Sequence, residues 1–164
     1  MIRSILALAL LTDQAAAQDI AFTPAATEAC LASDAAPETC IGQSSALCMQ
    51  DSEGGETTIG MSFCAWAEAE YWDARLNAAY KALMAAHKAS DAEDATYGLD
   101  VPSRADALRE MQRAWIPYRD AACAYERAQW GGGTGQGPAG AACVLHLTGE
   151  QALELEAALA EAGR

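Results

Sequence analysis

The sequence predicts an all-α fold: two long antiparallel helices, with a short N-terminal helix and a C-terminal helix, stapled by disulfides. Three observations predict it. Ala65, Ala69, Trp72, Leu76, Ala79, Leu83 and Ala86 step by four and three without interruption, which places them on one face of an α-helix. Leu108, Met111, Trp115, Tyr118, Ala122 and Tyr125 repeat that spacing as a second seam. The chain also holds six cysteines, an even count, with no Cys-x-x-Cys pair among them. In an exported chain that count implies three disulfides rather than metal or redox chemistry.

Residues 1–17 have the form of a secretory leader, with Arg3, an apolar run from Ile5 to Leu11, and Ala15-Ala16-Ala17 before Gln18. The apolar run is far short of the roughly 20 residues needed to span a bilayer. No cysteine follows it closely, so lipid attachment is not expected. The expected mature chain, residues 18–164, is soluble, periplasmic or secreted, and at about 147 residues fits one domain with a real core.

Residues 18–37 are rich in alanine, interrupted by Pro24 and Pro37, with weak helical signals. Cys40, Ser44, Leu47 and Cys48 fall at helical spacing and predict a short helix over about 38–49. Gly54-Gly55 breaks the chain, and Thr57 or Thr58 can cap the next helix, predicted over about 59–89. Beside its apolar seam runs a second stripe of Asp73, Asn77, Tyr80, Met84 and His87. The acidic segment Ser90 to Val101, containing Gly98, is expected to connect the long helices.

Ser103 with Asp106 reads as a capping box after Pro102, and Gly131-Gly132-Gly133 as a stop, giving a helix over about 103–130. Pro117 inside it is expected to kink the axis. The following stretch to Pro138 is expected to be a loop; it lacks the Gly-Lys-Ser/Thr ending of a phosphate-binding loop. Thr148 with Gln151 predicts the start of a last helix over about 149–162, with Ala152, Leu155 and Leu159 inward. Two long helices joined by one loop pack antiparallel. The resulting register sets Trp72 against Ala121 or Ala122, Leu83 against Glu110 or Met111, and Asp73 against Arg119 or Asp120.

The formal charge is −13, and it is unevenly spread. Between Gln18 and Ala74 stand ten acids and no Lys, Arg or His. Nucleic acid is a poor partner for such a chain, since that binding rests on neutralising phosphates with cations. A basic protein is a better one, although a charge surplus also keeps an exported protein soluble. The only histidines are His87 and His146, and no ligand spacing for zinc occurs. No carboxylate pair is singled out for acid–base work, and no nucleophile sits beside a base, so neither catalytic residues nor a cofactor or metal are expected.

The stretch Gln112-Arg113-Ala114-Trp115-Ile116-Pro117-Tyr118-Arg119-Asp120-Ala121-Ala122-Cys123, followed by the Gly-rich turn and Cys143, resembles the LprI-like lysozyme inhibitor family. Met61, Cys64, Trp72, Asp73, Leu76, Asn77, Tyr80, Leu83 and Met84 extend the match upstream. The resemblance runs from about Cys48 to Leu159 and departs from the family at Gln151, where a basic residue is usual.

The resemblance implies an inhibitor that binds a basic lysozyme; the alternative is an envelope accessory protein with no lysozyme target. The shared polar positions are Asp73, Asn77, Tyr80, Arg119 and Asp120. Either they form a site between the helices, or Asp73 and Arg119 form an inter-helix ion pair with the others bonded nearby. The second reading is preferred, because each flanks an apolar seam and buried polar groups need partners. For the disulfides, Cys123–Cys143 is expected because the family has cysteine at both places and the bond closes the Gly-rich loop. Cys48–Cys64 and Cys30–Cys40 complete the set, with Cys64–Cys123 as the rival. Asp51, Glu53 and Glu56 are the expected partner contacts, on a loop expected to be exposed, flexible through Gly54-Gly55 and anchored by Cys48 and Cys64.

Overall fold

The computed structural model describes residues 20–163, so the expected leader lies outside the described residues. Within them run α1 (Ala25–Leu31), a 3-10 turn (Pro37–Cys40), α2 (Gln43–Asp51), α3 (Thr58–Thr96), α4 (Arg104–Ala128) and α5 (Gln136–Ala162), with no strand among the described residues. The predicted helix over 38–49 is thus two elements. Gly42, at φ 94°, breaks it in a conformation that favours glycine.

The first seam is the spine of the molecule. Ala65, Ala69, Trp72, Leu76, Ala79 and Leu83 are all buried along α3. As expected, Thr57 caps this helix, its hydroxyl accepting from the Gly60 amide at 3.0 Å. The helix does not stop near residue 89 but continues through the acidic segment to Thr96. Arg104 and the start of α4 supply partners for Asp91 and Asp94, which removes the charge penalty of the extension. The helix then ends in a Schellman turn. Gly98, at φ 68°, donates to Ala95 O, and Leu99 donates to Asp94 O, each in the 3.0–3.1 Å range.

The largest departure from expectation is α5. It starts at Gln136 inside the Gly-rich stretch and runs 27 residues, so Thr148 lies in its middle rather than at a cap. Pro138 costs no hydrogen bond there, because the first-turn amides of a helix have no intrahelical partner. The glycines serve close packing instead. A Cβ on Gly140 would sit 2.4 Å from Arg127 Cδ, and one on Gly149 would sit 2.9 Å from Ile41. Ser62 lies beside Gly137, and Arg75 pairs with Glu156, so α5 runs parallel to α3. The core is therefore mainly the α3–α5 interface, with Ala141, Leu145, Ala152 and Leu155 meeting the α3 seam.

α4 runs antiparallel to both, as the Cys123–Cys143 bond and the Gln112–Gln151 hydrogen bond (2.7 Å) show. It remains a continuous helix through Pro117. Its capping Ser103 accepts from the Asp106 amide, as expected. The face it turns inward is not the predicted apolar seam, however. Leu108 is buried and Trp115 half-buried, while Met111, Tyr118 and Tyr125 are exposed. The inward stripe is Ala105, Leu108, Gln112, Trp115, Arg119 and Cys123. The disulfide and the glutamine pair fix this rotation. Leu83 shares a cleft with Leu108 and Met111 of α4, as the predicted register has it, and with Leu155 of α5, while Trp72 lies in the core cluster that α3 forms with α5.

All three disulfides pair as expected: Cys30–Cys40, Cys48–Cys64 and Cys123–Cys143; the rival Cys64–Cys123 bond is absent. Cys30–Cys40 ties α1 to the 3-10 turn and Cys48–Cys64 ties α2 to α3, and a buried carboxylate completes the junction. Glu68, with no exposed surface, accepts from Thr27 Oγ1 (2.8 Å), the Gly42 amide (2.8 Å), the Ser45 amide (2.6 Å) and Trp72 Nε1 (3.1 Å). It caps the N-terminus of α2 from a neighbouring helix, where free amides and the helix dipole favour an anion.

Candidate functional site

The acidic loop, with the expected contacts Asp51, Glu53 and Glu56, and a groove between the long helices, shared by Asp73, Arg119 and Asp120, are the two candidate sites. Asp51 ends α2, and Glu53 and Glu56 follow in the turn to α3; all three are exposed and make no side-chain hydrogen bond or ion pair within the described residues. The backbone of the loop packs closely against its neighbours. A Cβ on Gly55 would lie 2.2 Å from Met49 O, and one on Gly60 would lie 2.2 Å from Gly54 O. These glycines permit a close backbone contact that a side chain would prevent. The acids thus project from a turn clamped between Cys48–Cys64 and the start of α3.

The groove, about 230 Å³, opens where α3, α4 and α5 meet. Trp66, Glu70 and Asp73 line it from α3, Arg119 and Asp120 from α4, and Thr148 from α5. The predicted register is met to that extent: Asp73 shares the groove with Arg119 and Asp120. The predicted Asp73–Arg119 ion pair is not formed. Arg119 instead donates through Nη2 to Asp120 Oδ1 at 2.8 Å, and its guanidinium lies 5.0 Å from the centre of the Trp115 ring. Asp73 accepts from Asn77 Nδ2 at 2.8 Å. Each neighbour on its own helix satisfies the group more cheaply than a reach across the groove.

Of the remaining motif residues, Trp72 is wholly internal and Tyr80 packs half-buried against the core. Trp66, Glu70, Val144 and Thr148 line the groove but escaped the sequence reading as site residues. Thr148 Oγ1 is buried and has no hydrogen-bond partner, a state that costs about 1–3 kcal/mol. A threonine in mid-helix ordinarily bonds back to a carbonyl one turn earlier. Nothing in the chain alone marks this one, because the groove exists only once α5 is extended.

Elsewhere the polar groups are structural. Arg75 makes a two-pronged pair with Glu156 across α3 and α5, at 2.8 Å in both contacts, and that bonding raises its guanidinium further above its ordinary range. Asp91 accepts from Ser103 Oγ and from the Ala105 and Arg104 amides, and these bonds lower its carboxyl to about 2. No cluster of three His, Cys, Asp or Glu among the described residues could hold a metal ion. Nor is any described helix long and apolar enough to cross a membrane.

The class so defined is an all-helical, disulfide-stapled scaffold that presents an acidic turn and a small polar groove. The family described as lysozyme inhibitor LprI matches residues 48–155, and the chain belongs to that family. An uncharacterized protein of Rhizobium meliloti (strain 1021) is 31% identical over 98 residues, covering 60% of this chain and 70% of its own. No solved structure matches.

Proposed function

We propose that this chain is an exported, non-enzymatic inhibitor of lysozyme, acting without a cofactor through its acidic N-terminal portion on a basic muramidase. Family membership over residues 48–155 is the observation that carries the reading. Among the described acids between residues 20 and 74, only Glu68 is internal; the others are exposed. Such a face steers a cationic partner and speeds encounter. Asp51, Glu53 and Glu56 are the proposed contacts. Because their turn is already clamped, little ordering entropy is lost when it docks. Three disulfides fit an oxidising compartment. The proposed mature chain is therefore a single domain, residues 18–164, released to the periplasm or beyond after cleavage of the leader following Ala17.

The test is inhibition of a basic lysozyme by the wild-type protein and by the Asp51→Asn/Glu53→Gln/Glu56→Gln variant. Inhibition weakened at least about tenfold in the variant, with slower association as salt rises, supports the reading. Equal inhibition by the variant removes the turn from the interface.

A further inference from the structure

We propose that the groove between α3, α4 and α5 is a receptor for one basic side chain, a lysine or arginine, presented by a partner protein. Charge points that way first. Of the groove's ionised groups, Arg119 is already matched by Asp120 and laid over Trp115. Glu70 has no cationic partner among the described residues, and Asp73 has only the neutral Asn77. An incoming cation therefore meets two uncompensated carboxylates, while an incoming anion meets a spent arginine.

Thr148 is the independent second observation. The residue lines the groove, and its hydroxyl is buried there with no hydrogen-bond partner. An ammonium or guanidinium donates up to several hydrogen bonds and accepts none, so it supplies what that oxygen and the two carboxylates lack. Trp66, 46% exposed at the rim, adds an aromatic surface that attracts cations. Size narrows the ligand further. At about 230 Å³ the groove is smaller than the roughly 300–1,000 Å³ of small-molecule sites, and suits a single side chain.

The surroundings favour a side chain carried by a protein over a free amine. Ile59, Phe63 and Trp66 step by four and three along α3 and are 72%, 45% and 46% exposed. Glu70 and Asp73 continue the same face. An apolar strip thus runs from the turn bearing Glu56 to the groove, giving the apolar centre that a docking surface needs between its charged parts. The choice of a basic side chain rests on the groove alone. The identity of the partner as a lysozyme rests on the function proposed above.

The test uses the full chain with disulfides intact and isotope-labelled. It is titrated with Nα-acetyl-arginine methylamide, Nα-acetyl-lysine methylamide and the neutral Nα-acetyl-glutamine methylamide. The expected result is saturable movement of the Trp66 indole and Thr148 amide resonances with both cationic probes and none with the neutral one. Glu70→Gln/Asp73→Asn should weaken that binding at least about tenfold. Thr148→Val should weaken it while leaving the melting temperature of the free protein equal or higher, a combination that a merely structural threonine would not give. No saturable shift, an equal response to the glutamine probe, or unchanged binding in the variants overturns the proposal. Probe binding by a protein that inhibits no lysozyme supports the groove and removes the lysozyme reading. Wild-type inhibition that survives Glu70→Gln/Asp73→Asn, with no probe binding, overturns the groove and leaves lysozyme inhibition standing.

Discussion

Replacing Glu68 with alanine strips four hydrogen-bond donors of their acceptor at the α1–α2–α3 junction. The Thr27 hydroxyl can turn to Ser44, which already exchanges backbone-to-hydroxyl bonds with it at 2.9 and 3.1 Å. The Gly42 and Ser45 amides and the Trp72 indole N–H have no such recourse, because all three face the vacated space. Each stranded donor costs about 1–3 kcal/mol, while removal of the buried carboxylate returns part of its own desolvation cost. The net loss is about 3–5 kcal/mol, a large share of the roughly 5–15 kcal/mol that holds a domain folded. For a chain of this size that lowers the melting temperature by about 10 °C.

Glu68→Gln should fall between, at about 2 kcal/mol, since one amide oxygen can keep the three donors on Oε1 while the NH₂ opposes the Ser45 amide. Urea unfolding followed by circular dichroism, with disulfides intact, reads both values. Glu70→Ala, an exposed change two residues along the same helix, is the control and should stay within about 0.5 kcal/mol. A Glu68→Ala protein within about 1 kcal/mol of wild type would refute the capping role assigned to this carboxylate.

Asp91 gives a pH signature. Its folded carboxyl is lowered to about 2 from an ordinary 3.8, so its contribution is present in full above that ordinary value and is lost as pH falls through 2. Melting temperatures recorded from pH 5 to pH 2 should fall less steeply for Asp91→Asn than for wild type. Removing the Cys123–Cys143 bond by paired serine substitutions should cost about 3 kcal/mol, from the chain entropy of a loop spanning 20 residues, read by thermal or urea unfolding. The Asp51→Asn/Glu53→Gln/Glu56→Gln variant should melt within about 2 °C of wild type by differential scanning calorimetry, since these exposed acids make no side-chain bonds.

What was legible in the chain and what was not divides along physical lines. The α3 seam, the Thr57 and Ser103 caps and the three disulfide pairs follow from local spacing or from the family resemblance, and the structure shows each. The start of α5 was hidden because glycine has two uses. Gly137, within the stretch read as a loop, and Gly140 beyond it instead allow close approach to Ser62 and Arg127.

The rotation of α4 was misread for a related reason. Tyr118 and Tyr125 fit an apolar seam by spacing, yet a phenol tolerates water, and the disulfide turns Gln112 and Arg119 inward instead. Glu68 looked like one acid among ten, because two of its four partners are backbone amides at the start of another helix, which no side-chain pattern reveals. For the site, the approach of Asp73 to Arg119 and Asp120 was readable from the hairpin register. Thr148 was not, since its place depends on the unforeseen first half of α5.

The central claim is lysozyme inhibition, and the most direct measurement is a titration. Purified protein lacking residues 1–17, with its disulfides formed, is added at increasing concentration to a basic lysozyme digesting peptidoglycan at low ionic strength. The account predicts dose-dependent loss of muramidase activity that saturates at a fixed stoichiometry and weakens as salt is raised. Undiminished activity at saturating protein, across several lysozyme classes at low salt, would contradict it.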